Sequence, residues 1–237
     1  MNGVEMELTL DELRSQFLVH TRQAYGLLPY VARPRILDIG CGRGLQTLAI
    51  AQLSDGEIVA IDTDARALAS LQSCVEKAGL TRRIKVVNVS LYETGFPDAG
   101  FDILWEEGVM HLLDSTRSLP ACRRLLKSGG FLVMHEDVTW FGSLRGSLQT
   151  HGFQSVAHHP LPRHFWWTDY YKPLEVAIRN YRERHGDEPE SPELAQLDRE
   201  IGMVKADPGR FDCAFFVLQK AVSRSAETNN AEPSAQD

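Results

Sequence analysis

The sequence predicts a doubly wound α/β fold with a mostly parallel sheet of seven strands. Three observations support this prediction. Short apolar segments alternate with helical segments from residue 35 to residue 158, which is typical of βαβ units. The apolar segments are nearly continuous, as expected for parallel strands covered by helices on both faces. A glycine-rich loop joins the first apolar segment to the helix that follows it.

The elements of the predicted sheet follow one another in order after Pro34. The predicted strands are Arg35–Ile39, Ile58–Ile61, Ile84–Val89, Phe101–Trp105, Phe131–His135, Phe153–His158 and Phe211–Leu218. The predicted helices between them are Gly44–Leu53, Ala65–Ala78, Ser115–Leu126 and Leu144–His151. Helical connections of this kind are what a parallel pair of neighbouring strands requires.

Two helical regions lie outside this alternation. Thr9–Glu12 has the pattern of a capping box, and it predicts a leading helix that ends near Leu28. Leu161–Arg210 contributes two more helices before the last strand. We expect an insertion within one domain, residues 1–221, because about fifty residues bury little core alone. Residues 222–237 are rich in Ser, Ala, Glu, Asn and Pro, which predicts a disordered tail.

Composition and charge limit the function classes. The chain has 237 residues and a net charge of −7, and its basic residues occur in short mixed groups, so a nucleic-acid partner is not expected. No run of about 18 apolar residues exists, and Met1–Thr9 is acidic, so no membrane partner is expected either. The four cysteines are scattered singly, which favours reduced thiols in a cytoplasmic protein. A small-molecule partner is favoured, and the oligomeric state, monomer or homodimer, stays open.

The glycine loop lies where a strand ends and a helix begins. Glycines there let the backbone turn sharply and let a ligand lie against backbone N–H groups. Asp62 closes the second predicted strand, about twenty residues further on, where a carboxylate accepts hydrogen bonds from both ribose hydroxyls. The alternative for Asp62 is a cap on the next helix. Together, the loop and Asp62 predict a site for a nucleoside cofactor.

The spacing of the loop separates two kinds of cofactor. Dinucleotide-binding folds use G-x-G-x-x-G, whereas Gly40, Gly42 and Gly44 form G-x-G-x-G. The segment Asp38–Gly44 resembles the first motif of the class I S-adenosylmethionine-dependent methyltransferases. Phe96–Ile103 and Leu125–Gly130 resemble the segments of that superfamily around its fourth and fifth strands. The resemblance covers about residues 30–160 and, with the last strand, nearly the whole Rossmann-like sheet.

The resemblance implies S-adenosylmethionine as cofactor and S-adenosylhomocysteine as product. It places Asp38 and the three glycines along the methionine and ribose parts, and Asp62 at the ribose hydroxyls. Ser90 stands where many relatives have an adenine-binding Asp, so that contact is either weaker or supplied by a neighbouring residue. The residues expected to bind the cofactor are Asp38, Gly40, Cys41, Gly42, Gly44, Asp62, Thr63, Ser90, Leu91 and Glu106.

A finer resemblance involves Leu104–Gly108 and Trp166–Tyr171, which are similar to segments in a branch of small-molecule methyltransferases. The ring-rich residues suit a substrate pocket that stacks on rings or surrounds a cationic nitrogen, although packing of the inserted helices explains them as well. The expected substrate-binding residues are His158, Trp166, Trp167, Tyr170 and Tyr171. No metal is expected, because the histidines have no carboxylate or cysteine partner at ligand spacing.

Methyl transfer requires mainly alignment of the reacting atoms, although some acceptors must also lose a proton. Glu107 and His111 are the candidate catalytic residues, since both follow the fourth strand at its carboxyl end. Glu107 is suited to hold an amine or accept a proton, or else it only caps the following turn. His111 is a base or a packing residue, and the pair His135 and Glu136 ends the fifth strand at the same edge.

Three functions remain open at this point. The favoured one is a methyltransferase (EC 2.1.1.-) that acts on nitrogen, oxygen, sulfur or carbon of a small molecule. A non-catalytic sensor or scaffold that binds S-adenosylmethionine would use the same loop. An NAD-dependent oxidoreductase is disfavoured by the glycine spacing.

Overall fold

A seven-stranded sheet forms the centre of the computed structural model, which describes residues 10–185 and 192–222. Its strands are β1 Arg35–Ile39, β2 Glu57–Asp62, β3 Ile84–Asn88, β4 Phe101–Glu107, β5 Leu126–Asp137, β6 Phe153–Pro160 and β7 Cys213–Lys220. Their order across the sheet is β3-β2-β1-β4-β5-β7-β6. β7 runs antiparallel to both β5 and β6, and the other neighbouring strands are parallel. The predicted mostly parallel, seven-stranded sheet is confirmed.

Helices cover both faces of this sheet. They are α1 Leu18–Tyr25, α2 Leu45–Leu53, α3 Ala65–Lys77, α4 Ser115–Leu125, α5 Val138–Thr150, α6 Lys172–Arg184 and α7 Pro192–Ala206. Successive strand residues point to opposite faces, and Ile36 and Leu37 accordingly belong to two different buried clusters. The Ile36 cluster includes residues of α1, α2, α3, α6 and α7, and the Leu37 cluster includes residues of α4 and α5. The fold is therefore doubly wound.

The strand order reverses between β1 and β4. The chain builds β1, β2 and β3 outward in one direction and then returns to add β4 on the other side of β1. The connections that leave the carboxyl ends of β1 and β4 diverge at this point, which opens a crevice typical of ligand sites in such sheets. Both the glycine loop after β1 and Glu107 at the end of β4 lie at this crevice.

The helix after β5 begins at Val138, whereas the sequence predicted a start at Leu144. Asp137 ends β5 and also caps this helix, because its Oδ1 accepts the backbone N–H of Trp140 at 2.6 Å. Val138 and Thr139 are β-branched residues, which are more typical of strands than of helices. The sequence pattern therefore did not indicate a helix start at this point. The strand therefore passes into the helix without a loop, and the first turn of α5 reaches the crevice.

The leading helix is interrupted. Residues 10–15 are helical, residues 16 and 17 form a turn, and α1 then begins at Leu18. At the turn, the N–H of Phe17 bonds to the carbonyl of Arg14, three residues back, at 3.0 Å. Phe17 is buried against Phe165 and Trp166, with ring centroids 4.8 and 4.5 Å apart. The predicted capping residue, Thr9, lies outside the described residues.

The chain between β6 and β7 contains a π-helical turn at Trp166–Tyr171, then α6, α7 and a 3₁₀ turn at Pro208–Phe211. Leu174, Ile178 and Leu194 of this segment belong to the same buried cluster as Ile36 of β1. The inserted helices therefore share their core with the sheet. Of the expected tail, only Val222 lies within the described residues. In the described part of the chain, no helix combines the length and apolar character needed to cross a membrane.

Candidate functional site

A cavity of about 880 Å³ opens at the carboxyl ends of β1, β4 and β5. Its walls come from the helical residues before α1, the glycine loop, the residues after β4, the start of α5 and the segment around Phe211. Of the residues expected from sequence to form the site, those that line it are Gly40, Cys41, Gly42, Glu107, His111, Trp166 and Tyr171. The fold thus brings together parts of the expected cofactor, catalytic and substrate residues.

The three glycines of the loop have different roles. All have positive φ, at 69° for Gly40, 52° for Gly42 and 80° for Gly44, a backbone region that side chains rarely adopt. A Cβ on Gly44 would lie 2.0 Å from Cδ1 of Leu71, so the absence of a side chain there allows α2 to pack on α3. A Cβ on Gly42 would meet no atom within 4 Å. Gly42 therefore leaves open space beside the cavity.

Asp62 holds the loop from the neighbouring strand. Its Oδ2 accepts the N–H of Gly42 at 2.8 Å, and its Oδ1 accepts the N–H of Asp64 at 2.9 Å. The helix cap that was the alternative role for Asp62 belongs to Asp64, which accepts the N–H groups of Arg66 and Ala67. Asp62 and the exposed Thr63 lie beside the loop and outside the cavity lining.

Asp38 and Glu106 lie beneath the cavity, and their side chains are buried. Asp38 accepts the hydroxyl of Thr47 at 2.5 Å, and burial raises its pKa to about 7. Glu106 accepts the N–H groups of Val109 and Met110 at 3.0 and 3.3 Å. Burial, reinforced by the charge of Glu136, raises the pKa of Glu106 well above its usual range. Both carboxyl groups support the loops around the cavity.

Glu107 lies in the cavity wall and is surrounded by hydrogen-bond donors. Its Oε1 accepts the indole N–H of Trp105 at 2.9 Å and the hydroxyl of Thr21 at 2.9 Å. The side chain of Gln46 also bonds to it. Burial raises the pKa of Glu107 to about 8, although these hydrogen bonds act in the opposite direction, toward a lower value. The wall therefore contains a carboxyl group that is costly to ionise without a nearby cation.

His111 and Glu136 form a hydrogen-bonded pair at the cavity. Nδ1 of His111 lies 2.9 Å from Oε2 of Glu136, and the backbone N–H of His111 donates to Oε1 at 3.1 Å. Glu136 is buried, whereas the side chain of His111 is 43% exposed. The hydrogen bond to Glu136 raises the pKa of His111 above 6.5. A carboxylate only accepts hydrogen bonds, so Nδ1 carries the proton and Nε2 has the free lone pair.

The remaining expected residues lie outside the cavity lining. Ser90 caps the turn Leu91–Glu93 by accepting the N–H of Tyr92, and Leu91 is buried. His158 is exposed on β6. Tyr170 is buried, and its hydroxyl bonds to Arg14. Trp167 stacks beneath the ammonium of Lys205, 5.6 Å from the ring centroid. The structure does not bring these side chains to the cavity.

His135 and Glu136, which the sequence placed at this edge beside the candidate catalytic residues, also line the cavity. The lining residues that the sequence did not assign to the site are Asp11, Arg14, Phe17, Arg43, Leu45, Gln46, Gly108, Asp137, Thr139, Trp140, Ser143, Arg210, Phe211 and Cys213. The position of Asp137 and Trp140 directly after β5 is a sequence signal for this edge. Arg14 and Phe17 carry no such signal, because only the packing of the N-terminal residues brings them there. Within residues 10–185 and 192–222, no three His, Cys, Asp or Glu side chains form a potential metal site.

Comparisons with known proteins agree with this architecture. Residues 37–134 match a family model described as a methyltransferase domain. The chain is 29% identical over 127 residues to 27-O-demethylrifamycin SV methyltransferase of Amycolatopsis mediterranei (strain S699), which covers 53% of this chain and 46% of that protein. It is 31% identical over 134 residues to ubiquinone biosynthesis O-methyltransferase of Cereibacter sphaeroides (strain ATCC 17025), covering 56% and 51%. The chain thus spans about half the length of these curated relatives.

Two solved structures share the fold at low sequence identity. The crystal structure of the [4+2]-cyclase SpnF has a TM-score of 0.73 and 19% identity, covering 86% of this chain and 82% of that one. Geranyl diphosphate C-methyltransferase from Streptomyces coelicolor A3(2) has a TM-score of 0.62 and 11% identity, covering 86% and 76%. One of these names describes a cyclase and the other a methyltransferase, so the shared fold does not specify one reaction.

Proposed function

We propose that the chain is a class I S-adenosylmethionine-dependent methyltransferase and that it methylates a hydroxyl group of a small molecule. The hydrogen-bonded pair of His111 and Glu136 in the cavity wall carries this proposal. A hydroxyl group must lose its proton when it is methylated, and a positioned imidazole is the common base for that step.

The residues around the glycine loop fit S-adenosylmethionine. Gly42 leaves open space beside the cavity, and the carboxylate of Asp62 lies at the adjacent strand end, where it suits two ribose hydroxyls. A cavity of about 880 Å³ lies within the range of ligand sites, roughly 300–1,000 Å³, and has room for cofactor and a small acceptor. When bound, S-adenosylmethionine supplies a methyl group already activated by its sulfonium.

His111 takes the proton of the acceptor hydroxyl at Nε2. Glu136 fixes the ring by accepting the Nδ1 proton, and it stabilises the imidazolium that forms. With S-adenosylmethionine bound, the acceptor oxygen would receive the methyl group, and S-adenosylhomocysteine would leave as the product. Because only neutral His111 accepts a proton, the rate should rise with pH through its raised pKa.

Hydroxyl groups are favoured over amines by this pair, since a neutral amine attacks without first losing a proton. The rings of Trp140 and Phe211 line the same cavity and suit an acceptor with an apolar or aromatic body. The curated relatives named as O-methyltransferase and rifamycin methyltransferase support an oxygen acceptor.

The test is transfer of labelled methyl from S-adenosylmethionine to a panel of hydroxylated and amine metabolites. We expect label in hydroxylated compounds, and a loss of roughly 10²- to 10⁴-fold in rate for His111→Ala with cofactor affinity retained. His151→Gln, on the far end of α5, is the matched control. Full activity of His111→Ala would refute the base assignment. Cofactor binding without transfer to any compound would favour the sensor or scaffold instead.

A further inference from the structure

Glu107 is a carboxyl group in the cavity wall whose identified partners are neutral. The indole of Trp105, the hydroxyl of Thr21 and the side chain of Gln46 bond to it. Within residues 10–185 and 192–222, no Lys, Arg or His forms an ion pair with it. The indole N–H is a donor only, so the carboxyl oxygen facing it must act as an acceptor. The hydrogen-bond donors around Glu107 are thus suited to its ionised carboxylate form.

The surrounding charges make that ionised form expensive in the absence of a cation. Asp38, on the neighbouring strand β1, is buried, and its charge raises the pKa of the half-buried Glu107 further. Asp38 and Glu107 thus place two carboxyl groups on adjacent strands, and in the described part of the chain neither forms an ion pair with a basic side chain. Buried carboxylates are usually paired with a cation or remain protonated. A cationic ligand group would supply the missing charge.

The position of Glu107 indicates which ligand group this is. Thr21 is in α1, and Gln46 is in the first turn of α2, directly after the glycine loop. Gly40, Cys41, Gln46 and Glu107 line the same cavity. The base assigned above, His111, is instead held by Glu136 from β5. Glu107 therefore faces the ligand that lies over the glycine loop.

We propose that Glu107 binds the primary ammonium group of the cofactor's amino-acid moiety. This inference rests on the proposed function, since it assumes that S-adenosylmethionine occupies the loop. Thr21, Trp105 and Gln46 hold the carboxylate in place, and the ammonium group neutralises its negative charge. Cofactor binding and ionisation of Glu107 then support each other.

The test uses two ligands that differ in the proposed contact. S-adenosylhomocysteine carries the ammonium group, and 5′-methylthioadenosine lacks the whole amino-acid moiety while keeping the nucleoside. Calorimetric titration of both into wild type and Glu107→Gln isolates the contribution of the ammonium. We expect S-adenosylhomocysteine to bind roughly ten- to hundredfold more weakly to the variant. The affinity for 5′-methylthioadenosine should change less than about twofold, because the nucleoside does not reach Glu107.

Glu57→Gln, an exposed carboxylate at the start of β2, is the control and should leave both affinities unchanged. Equal weakening of both ligands by Glu107→Gln would overturn the proposal, because it indicates a distorted site. Unchanged binding of both would also overturn it and would point to a cationic acceptor. If wild type binds neither ligand, the proposed function fails together with this contact. If Glu107→Gln does not fold, a folded Glu107→Asp with an unchanged ratio of the two affinities overturns the proposal.

Discussion

Gly44→Ala adds a methyl group at a position where the backbone conformation disfavours a side chain and the side chain of Leu71 leaves no room for one. Gly44 has φ of 80°, and its Cβ would lie 2.0 Å from Cδ1 and 2.8 Å from Cγ of Leu71. Because Cγ is also too close, rotation of the leucine end does not relieve the contact. Leu71 belongs to α3, and its side chain is fully buried in the core on that face of the sheet. The backbone of α2 or α3 must therefore shift to make room for the methyl group.

The expected cost has two parts. Left-handed backbone costs an alanine about 1–2 kcal/mol relative to glycine, and overpacking of a dense core costs about 1–3 kcal/mol more. Gly44→Ala should therefore lower the free energy of unfolding by about 2–5 kcal/mol. Gly79→Ala is the matched control, since Gly79 has φ of 68° and its Cβ would meet no atom within 4 Å. Its cost should be only the first part, about 1–2 kcal/mol.

Urea unfolding of both variants, followed by circular dichroism and tryptophan fluorescence, measures the difference. The gain from a less flexible unfolded chain is the same for both and cancels. Gly42→Ala should resemble Gly79→Ala in stability but bind S-adenosylhomocysteine more weakly, because its methyl group points into open space beside the cavity. If Gly44→Ala is no less stable than Gly79→Ala, the packing of Leu71 against the loop is refuted.

Three further predictions concern the titratable groups. Asp62→Ala should weaken binding of S-adenosylhomocysteine by about tenfold or more, through lost bonds to a charged acceptor, whereas Asp64→Ala should only lower stability by about 1 kcal/mol through loss of a helix cap. Glu136→Gln should lower the pKa of His111, measured by NMR titration, because it removes the charged hydrogen-bond partner. Burial lowers the pKa of His135 to about 3 from 6.5, so the unfolded chain binds a proton that the folded chain does not. Between pH 7 and pH 5, wild type should therefore lose about 2 kcal/mol more stability than His135→Gln.

For each of these three predictions, one result would contradict the reasoning. Unchanged affinity in a folded Asp62→Ala protein would refute the ribose assignment. An unchanged titration of His111 in Glu136→Gln would mean that the two side chains do not interact in solution. Parallel curves of unfolding free energy against pH for wild type and His135→Gln would mean that the imidazole is not buried in its neutral form.

Most of the sheet was predictable because its signals are local. β1 has the predicted bounds, β2 is one residue longer than predicted at each end, and β3 ends one residue earlier than predicted. Continuous apolar runs joined by short crossover helices indicate parallel strands. These signals lie within each segment and do not depend on residues far away in the sequence. The start of α5 was not predictable in this way, since Val138 and Thr139 look like strand residues and only the cap by Asp137 makes them helical.

The pairings inside the cavity depend on long-range contacts. Thr21 and Glu107 are 86 residues apart in sequence, and His111 and Glu136 are 25 apart. Neither pair has a fixed spacing that a sequence motif could encode, because different elements bring the partners together. The same holds for Trp167 and Tyr170, which the ring-rich pattern assigned to a substrate pocket and the structure places in packing contacts.

By itself, the sequence determined the order of strands and helices and the glycine spacing that points to S-adenosylmethionine. Both depend on local backbone geometry and on the period of apolar residues. The tertiary structure decided which glycine lies against Leu71 and which faces open space, which aspartate caps α3, and how far the carboxyl group of Glu107 is removed from solvent. Steric contact and desolvation depend on what surrounds a group in space, and the linear sequence does not specify those surroundings.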